Sequence, residues 1–244
     1  MVSLKCEIKI QTDVIDLIQR RESFSFLHNK VPDLSLASKW TRGDTISNDI
    51  QVIVIGKSGY GKSTTLNSLV RQDVFETNDV EGCTRVMQSA EFQFETKGEY
   101  CNFSLADLPG IGENPELDKQ YITLYRRAIN KAHLTVYLLR ADQRDYSIDQ
   151  WAFSELFKTF AEKNNVIVVI NAVDKIEPLN RMFPFVLSSA QSINLKDKIE
   201  TICSLFDITE QQVLPLSAVE NYKVDELVSK IGEKLESYLQ PVIA

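Results

Sequence analysis

The octapeptide Gly56-Lys57-Ser58-Gly59-Tyr60-Gly61-Lys62-Ser63 fits the pattern G-x-x-x-x-G-K-[ST] at every fixed position. Such a loop works only between a strand and a helix, so it constrains the fold around it. The run before it, Ile50-Gln51-Val52-Ile53-Val54-Ile55, reads as a buried parallel strand. Residues 63–70, with Thr64 in the first turn, read as a helix. Glycines let backbone N–H groups converge on phosphate oxygens, and the helix N-terminus adds its positive dipole end. Lys62 is placed to reach β- and γ-phosphates, and the Ser63 hydroxyl to bind Mg²⁺. The loop predicts a nucleoside triphosphate site without naming the base.

The 244 residues suffice for one large domain, or for a domain with an extension. A hydrophobic content of 43% supplies a core and argues against disorder. The net charge of −7 gives no general attraction to nucleic acid or to an anionic membrane. Cys6, Cys83, Cys101 and Cys203 have no paired spacing, which speaks against a zinc site or a disulfide framework and suits a cytoplasmic location. Charged residues interrupt the N-terminus, unlike a signal peptide, and no run of about 18 apolar residues occurs.

Residues 1–47 are expected to form a helical extension, with one amphipathic helix from Thr12 to about Glu22. Residues 48–244 alternate. Strands are predicted at 50–55, 86–94, 100–106, 133–140, 165–170 and 212–216, and helices at 62–71, 117–130, 148–162, 188–206 and 223–239. This predicts an α/β fold in three layers, with a six-stranded, mostly parallel sheet. The short link Glu95–Glu99 predicts a hairpin, so one edge strand is antiparallel. Phe153, Phe157 and Phe160 form a helical stripe read as core. Trp40 and Trp151 are read as packing residues, and His28 and His133 as ordinary histidines. Asp142, Asp145 and Asp149 are read as a solvated helix start.

Three further motifs follow predicted strand ends, where ligands bind in open α/β sheets. Asp107-Leu108-Pro109-Gly110 offers a carboxylate for Mg²⁺ and a Gly110 N–H for the γ-phosphate. Asn171-Ala172-Val173-Asp174 offers a carboxylate for the N1–H and N2–H₂ edge of guanine, both donors that adenine lacks. Ser217-Ala218 offers a backbone N–H to guanine O6. Singly, the last two are common turns. Their order, each after a strand, gives them weight.

With these residues in place, the chain resembles the translation-factor-related P-loop GTPases, and within them the Era and TrmE branch. Gly82-Cys83-Thr84-Arg85 is similar to that branch's switch I element G-T-T-R. The resemblance implies that Thr84 binds Mg²⁺ in the GTP state, that Lys62, Thr84 and Gly110 serve catalysis, and that Ser63, Thr84 and Asp107 hold the metal. Residues 107–151 and the run from Asn171 to Pro178 resemble a group of short bacterial Era-like GTPases. Asp107-Leu108-Pro109-Gly110-Ile111-Gly112 also resembles immunity-related GTPases, more weakly. The similarity covers about residues 48–240.

Three departures from that family matter. The family usually carries Lys where Ala172 stands, its stem covering the guanine face; Lys175 is a candidate substitute. Relatives activated by potassium carry Asn where Gly59 stands. Glycine has no side-chain ligand to offer, so GTP turnover in sodium is expected to stay within about tenfold of turnover in potassium. Ile111 follows Gly110, where Ras-like proteins place the glutamine that orients water. Arg85, Glu113 and Arg140 are candidate replacements, and intrinsic turnover is expected below about 1 s⁻¹. GTP or GDP with Mg²⁺ is the expected ligand. Residues 72–85 and 110–120 are the expected switches. Two roles fit: a switch that signals to a protein effector, and an assembly module that forms a homodimer across the nucleotide face.

Overall fold

The computed structural model describes residues 7–8, 38–42, 45–77, 87–96, 99–179 and 182–239. Its strands are β1 (Glu7–Ile8), β2 (Ser38–Arg42), β3 (Thr45–Gly56), β4 (Gln88–Thr96), β5 (Glu99–Asp107), β6 (Leu134–Arg140), β7 (Val166–Asn171) and β8 (Val213–Pro215). Its helices are α1 (Lys62–Val70), α2 (Pro115–Ile129), α3 (Ser147–Leu156), α4 (Phe160–Asn164), α5 (Ser189–Phe206) and α6 (Val224–Leu239).

The strands join in one sheet in the order β1-β4-β5-β3-β6-β7-β8, with β2 paired to β3. Neighbours from β3 through β8 run parallel, except for the antiparallel β4–β5 hairpin. These six are the expected strands, with the expected hairpin. All six residues of β7 are buried, as are the first six of β6, so both faces of the sheet centre are covered. Helix α1 packs against α6, while α3 packs against α2 and α5. Branched residues dominate the central strands because their stiff side chains fit a pleated, two-sided interior.

The N-terminal stretch departs from expectation. Its described part is strand, not helix. β2 pairs antiparallel with residues 45–49 of β3, beside the stretch of β3 that β6 leaves uncovered, and β1 pairs parallel with β4. β3 therefore starts at Thr45 and runs through the expected boundary at 47/48. The predicted helix at 12–22 and His28 lie outside the described residues.

A second departure is the predicted helix 148–162, which is two helices. Phe157 turns extended, and Thr159 starts α4 through a capping box with Glu162. The break rotates Phe160 off the apolar stripe. Phe153 and Phe157 are buried, but Phe160 is 76% exposed. Trp151 is 40% exposed rather than packed inside.

Candidate functional site

The four motifs meet at the carboxyl ends of β3, β5, β7 and β8. The strand order reverses at β3, which has β5 on one side and β6 on the other. A crevice at such a reversal is where open α/β sheets take ligands.

The glycine loop leaves β3 and enters α1 with Gly61 as N-cap. Gly61 is left-handed (φ 84°), and a Cβ there would meet Asn171 Nδ2 at 2.6 Å, so no other residue fits. No side chain caps α1 and its first turn carries no acid. Its first N–H groups thus face the crevice without an internal anion. Lys62 is 6% exposed. Burial pushes its ammonium pKa down, against the pull of Asp107 and Glu113. Its Nζ donates to Lys57 O at 3.3 Å, a long bond that a phosphate oxygen can replace.

Ser63 Oγ donates to Asp107 Oδ2 at 2.5 Å, and Asp107 is fully buried. A hydroxyl and a carboxylate so close are two hard oxygen donors of the kind that Mg²⁺ takes, one directly and one through water. The pair fits that ion. The third expected ligand, Thr84, lies with Gly82, Cys83 and Arg85 outside the described residues. The approach to that segment is held by Asn67. Its Oδ1 accepts from the N–H groups of Val74 and Phe75 at 2.9 and 2.8 Å, and its Nδ2 donates to Phe75 O.

Past Asp107 the chain folds onto the glycine loop. Ile111 forms a parallel bridge with Lys57, and Ser58 N–H donates to Ile111 O at 2.9 Å. A Cβ on Gly110 would lie 2.6 Å from Ser58 Cα and N, so only glycine permits this approach. The Ile111 side chain is fully buried and offers water nothing. Glu113 is anchored too: its Oε1 accepts from Ser58 Oγ at 2.7 Å. Tyr125 on α2 ties both loops together, its hydroxyl reaching Pro109 O and, at 3.4 Å, Gly56 O.

At the base end, Asn171 links two motifs. Its Nδ2 donates to Tyr60 O at 3.0 Å and its Oδ1 accepts from Ala218 N–H at 3.1 Å. Ser217 N–H donates to Tyr222 O. Both expected donors to guanine O6 thus have protein partners, and a base would have to draw Ala218 N–H from Asn171. Asp174 Oδ1 is buried with no hydrogen-bond partner. An orphaned carboxylate oxygen costs free energy unless a ligand donates to it. Asp174 lines an open cleft of about 640 Å³ with Asp142, Lys175, Met182, Phe183 and Glu220. Lys175 is exposed at its rim.

Residues 51–172, half of the chain, match the profile of the 50S ribosome-binding GTPases. The chain belongs to that GTPase family. It is 33% identical over 166 residues to the uncharacterized protein YkfA of Escherichia coli K12, covering 68% of this chain and 54% of YkfA. It is 26% identical over 185 residues to the GTPase Era of Aquifex aeolicus, covering 74% of this chain and 54% of Era. The chain thus spans about half the length of these relatives. An Era variant from Aquifex aeolicus bound to GDP and AlF4⁻ superposes with a TM-score of 0.55 at 26% identity, over 76% of this chain and 56% of that one. Toc33 from Arabidopsis thaliana, with Mg²⁺ and GMPPNP, superposes with a TM-score of 0.58 at 18% identity, over 90% and 92%, and shares the fold.

This member of the family has a second layer behind its glycine loop that the sequence hides. Asp149, read as solvated, is fully buried at the start of α3. Its Oδ2 accepts from the Tyr60 hydroxyl at 2.8 Å. Burial raises its pKa from 3.8 to about 6, opposed by the Tyr60 bond and the Lys57 charge and abetted by Asp145. Burial likewise holds the neighbouring phenols Tyr60, Tyr137 and Tyr146 neutral. The folded state therefore holds this proton more tightly than the unfolded one, and stability falls as pH rises from about 4 through 6. Asp149→Asn is expected to flatten that slope and to stabilise the protein at pH 8 by up to about 3 kcal/mol, read by urea unfolding at pH 5 and pH 8. Equal stability of both proteins at pH 8 would count against it. Nothing local marks Asp149, because its partner lies 89 residues away.

His133 takes its ordinary reading. Its Nδ1 accepts from Gln51 N–H at 3.1 Å. Among the described residues no cluster of His, Cys, Asp and Glu could hold a further metal, and no helix is long and apolar enough to cross a membrane.

Proposed function

We propose that this chain binds GTP and GDP with Mg²⁺ and hydrolyses GTP slowly, as a cytoplasmic molecular switch. In this reading the GTPase domain begins with β3 at Thr45, ahead of the expected start at residue 48, and Glu7–Ile8 and Ser38–Arg42 add strands to its sheet. The observation that carries the base assignment is the buried, unpartnered Asp174 oxygen in the turn that follows β7. It suits the two donors of a guanine edge.

The α1 N-terminus and Lys62 hold the phosphates, Ser63 and Asp107 the metal, with Thr84 as third ligand. A Mg²⁺ ion held by these residues would supply positive charge against the phosphates during hydrolysis. Gly110 N–H reads the γ-phosphate. Because Gly110 and Ile111 rest on the glycine loop, a γ-phosphate would have to move them, which is the mechanical basis of a switch.

Hydrolysis lacks a water-orienting side chain at Ile111. The two described candidates are engaged: Glu113 by Ser58, Arg140 by Gly59 and Asp142. A second reading follows from the same facts. A second copy would supply the missing group across the nucleotide face, in a GTP-dependent homodimer. GTP turnover per molecule over about a hundredfold range of protein concentration separates the two, against a ceiling of about 1 s⁻¹ for unassisted enzymes. A flat, slow rate supports the switch that waits for a protein partner. A rising specific rate supports the dimer. No GTP hydrolysis under either condition would count against both.

A further inference from the structure

Arg140 closes β6 and stands in register with Asn171, the last residue of β7. Ala172 follows Asn171, left-handed at φ 60°, with only a methyl group to offer a bound purine. Two successive carbonyls of the glycine loop are held from these two strand ends. Arg140 Nη1 donates to Gly59 O at 3.0 Å, and Asn171 Nδ2 to Tyr60 O at 3.0 Å. The guanidinium is fixed behind that contact as well. Its Nε and Nη2 donate to the two Asp142 oxygens at 2.8 and 3.1 Å, a bidentate pair. The Arg140 and Asp142 side chains are only 28% and 29% exposed. Asp142 lines the same cleft as Asp174. A flat, weakly hydrated cation is thereby fixed against the phosphate loop, its partner Asp142 lining the cleft and its strand position facing Asn171, the residue before Ala172.

We propose that Arg140 is the nucleotide-positioning residue of this site, fixing the Gly59 carbonyl and shielding the purine on the side that Ala172 leaves open. The inference rests on the guanine-nucleotide reading above. It also removes Arg140 from the hydrolytic candidates, since reaching a γ-phosphate would break three hydrogen bonds at once. Guanidinium planes stack on aromatic faces, so the residue type suits the role. The Asp142 pair supplies rigidity, which a lone lysine would lack.

The test measures GDP dissociation constants with Mg²⁺ for the wild type, Arg140→Ala, Arg140→Met and the double variant Arg140→Ala with Ala172→Lys. Losing one charge-assisted bond should weaken GDP about ten- to a hundredfold in both single variants, mainly through faster release. Met keeps the stem and its packing, so it carries the test if the alanine variant unfolds. The Ala172→Lys change places a stem and cation on the same side of the base. It should bring the double variant back to within about fivefold of the wild type. Ala172 already bears a Cβ, so the lysine adds no new backbone strain. Single variants within about twofold of wild-type affinity would overturn the proposal. So would a loss that Ala172→Lys leaves unrepaired, accompanied by a lower unfolding midpoint without nucleotide, because that is the signature of a purely structural pair. A wild type that binds no GDP would defeat the nucleotide reading itself, a result distinct from any ranking of the variants.

Discussion

Lys62→Ala is expected to weaken both GDP and GTP by about a hundredfold or more, while leaving the fold intact. The Lys62 ammonium is buried and held by one long bond to Lys57 O, with Asp107 and Glu113 nearby. Burial lowers its pKa, so without a phosphate partner Lys62 is a poorly solvated cation. Phosphate oxygens repair that defect. Each charge-assisted bond of this kind contributes about 1.5–3 kcal/mol, and the lysine serves two phosphates. Alanine removes the desolvated charge along with the ligand contact, so the nucleotide-free protein should unfold at an equal or higher temperature. The combination separates a binding defect from a folding defect. Calorimetric titration and a melting curve on the same sample read both. Wild-type affinity in this variant would remove the phosphate-loop assignment.

Asp174→Asn is expected to lower GDP affinity by about a hundredfold and to shift preference towards xanthosine diphosphate. The Asp174 Oδ1 is buried without a donor in the protein, so it is free to accept from a ligand. Guanine presents N1–H and an amino group to that oxygen pair. An asparagine offers one acceptor and one donor, and its donor would face guanine's amino group. Xanthine carries an oxygen in place of that amino group and pairs with both halves of the amide. The nucleotide-free variant should be as stable as the wild type, because no protein hydrogen bond to Oδ1 is lost. Competition between the two diphosphates for each protein checks this. An unchanged ratio would mean that Asp174 does not touch the base.

The site was legible in the sequence where its chemistry is local. Gly56 to Ser63, Asp107 to Gly110 and Asn171 to Asp174 each follow a strand, and the structure brings those strand ends to one crevice. Backbone loops of fixed spacing carry their geometry with them, so a pattern suffices. Residues that act across the sheet leave no such trace. Arg140 reaches Gly59 over 81 residues and Tyr125 reaches Gly56 over 69. Asp149 reads as part of a solvated helix start because it follows Asp142 and Asp145; its burial comes from the Tyr60 hydroxyl and from Tyr137, which donates to its backbone carbonyl. The fold shows the same division. Periodicity found the six strands from β3 to β8, but it ran through Phe157 to Phe160, where the Thr159–Glu162 capping box starts a new helix. It also missed β2, whose short segment Ser38–Arg42 gains strand form only by pairing with β3.

The central claim is a guanine-selective site. Titration of the wild-type protein with GDP and with ADP, both with Mg²⁺, tests it most directly. The arrangement of Lys62, Asn171 and Asp174 predicts GDP binding tighter than ADP by at least about a hundredfold. Equal affinities, or tighter ADP, would contradict the base assignment and leave only a phosphate-binding loop.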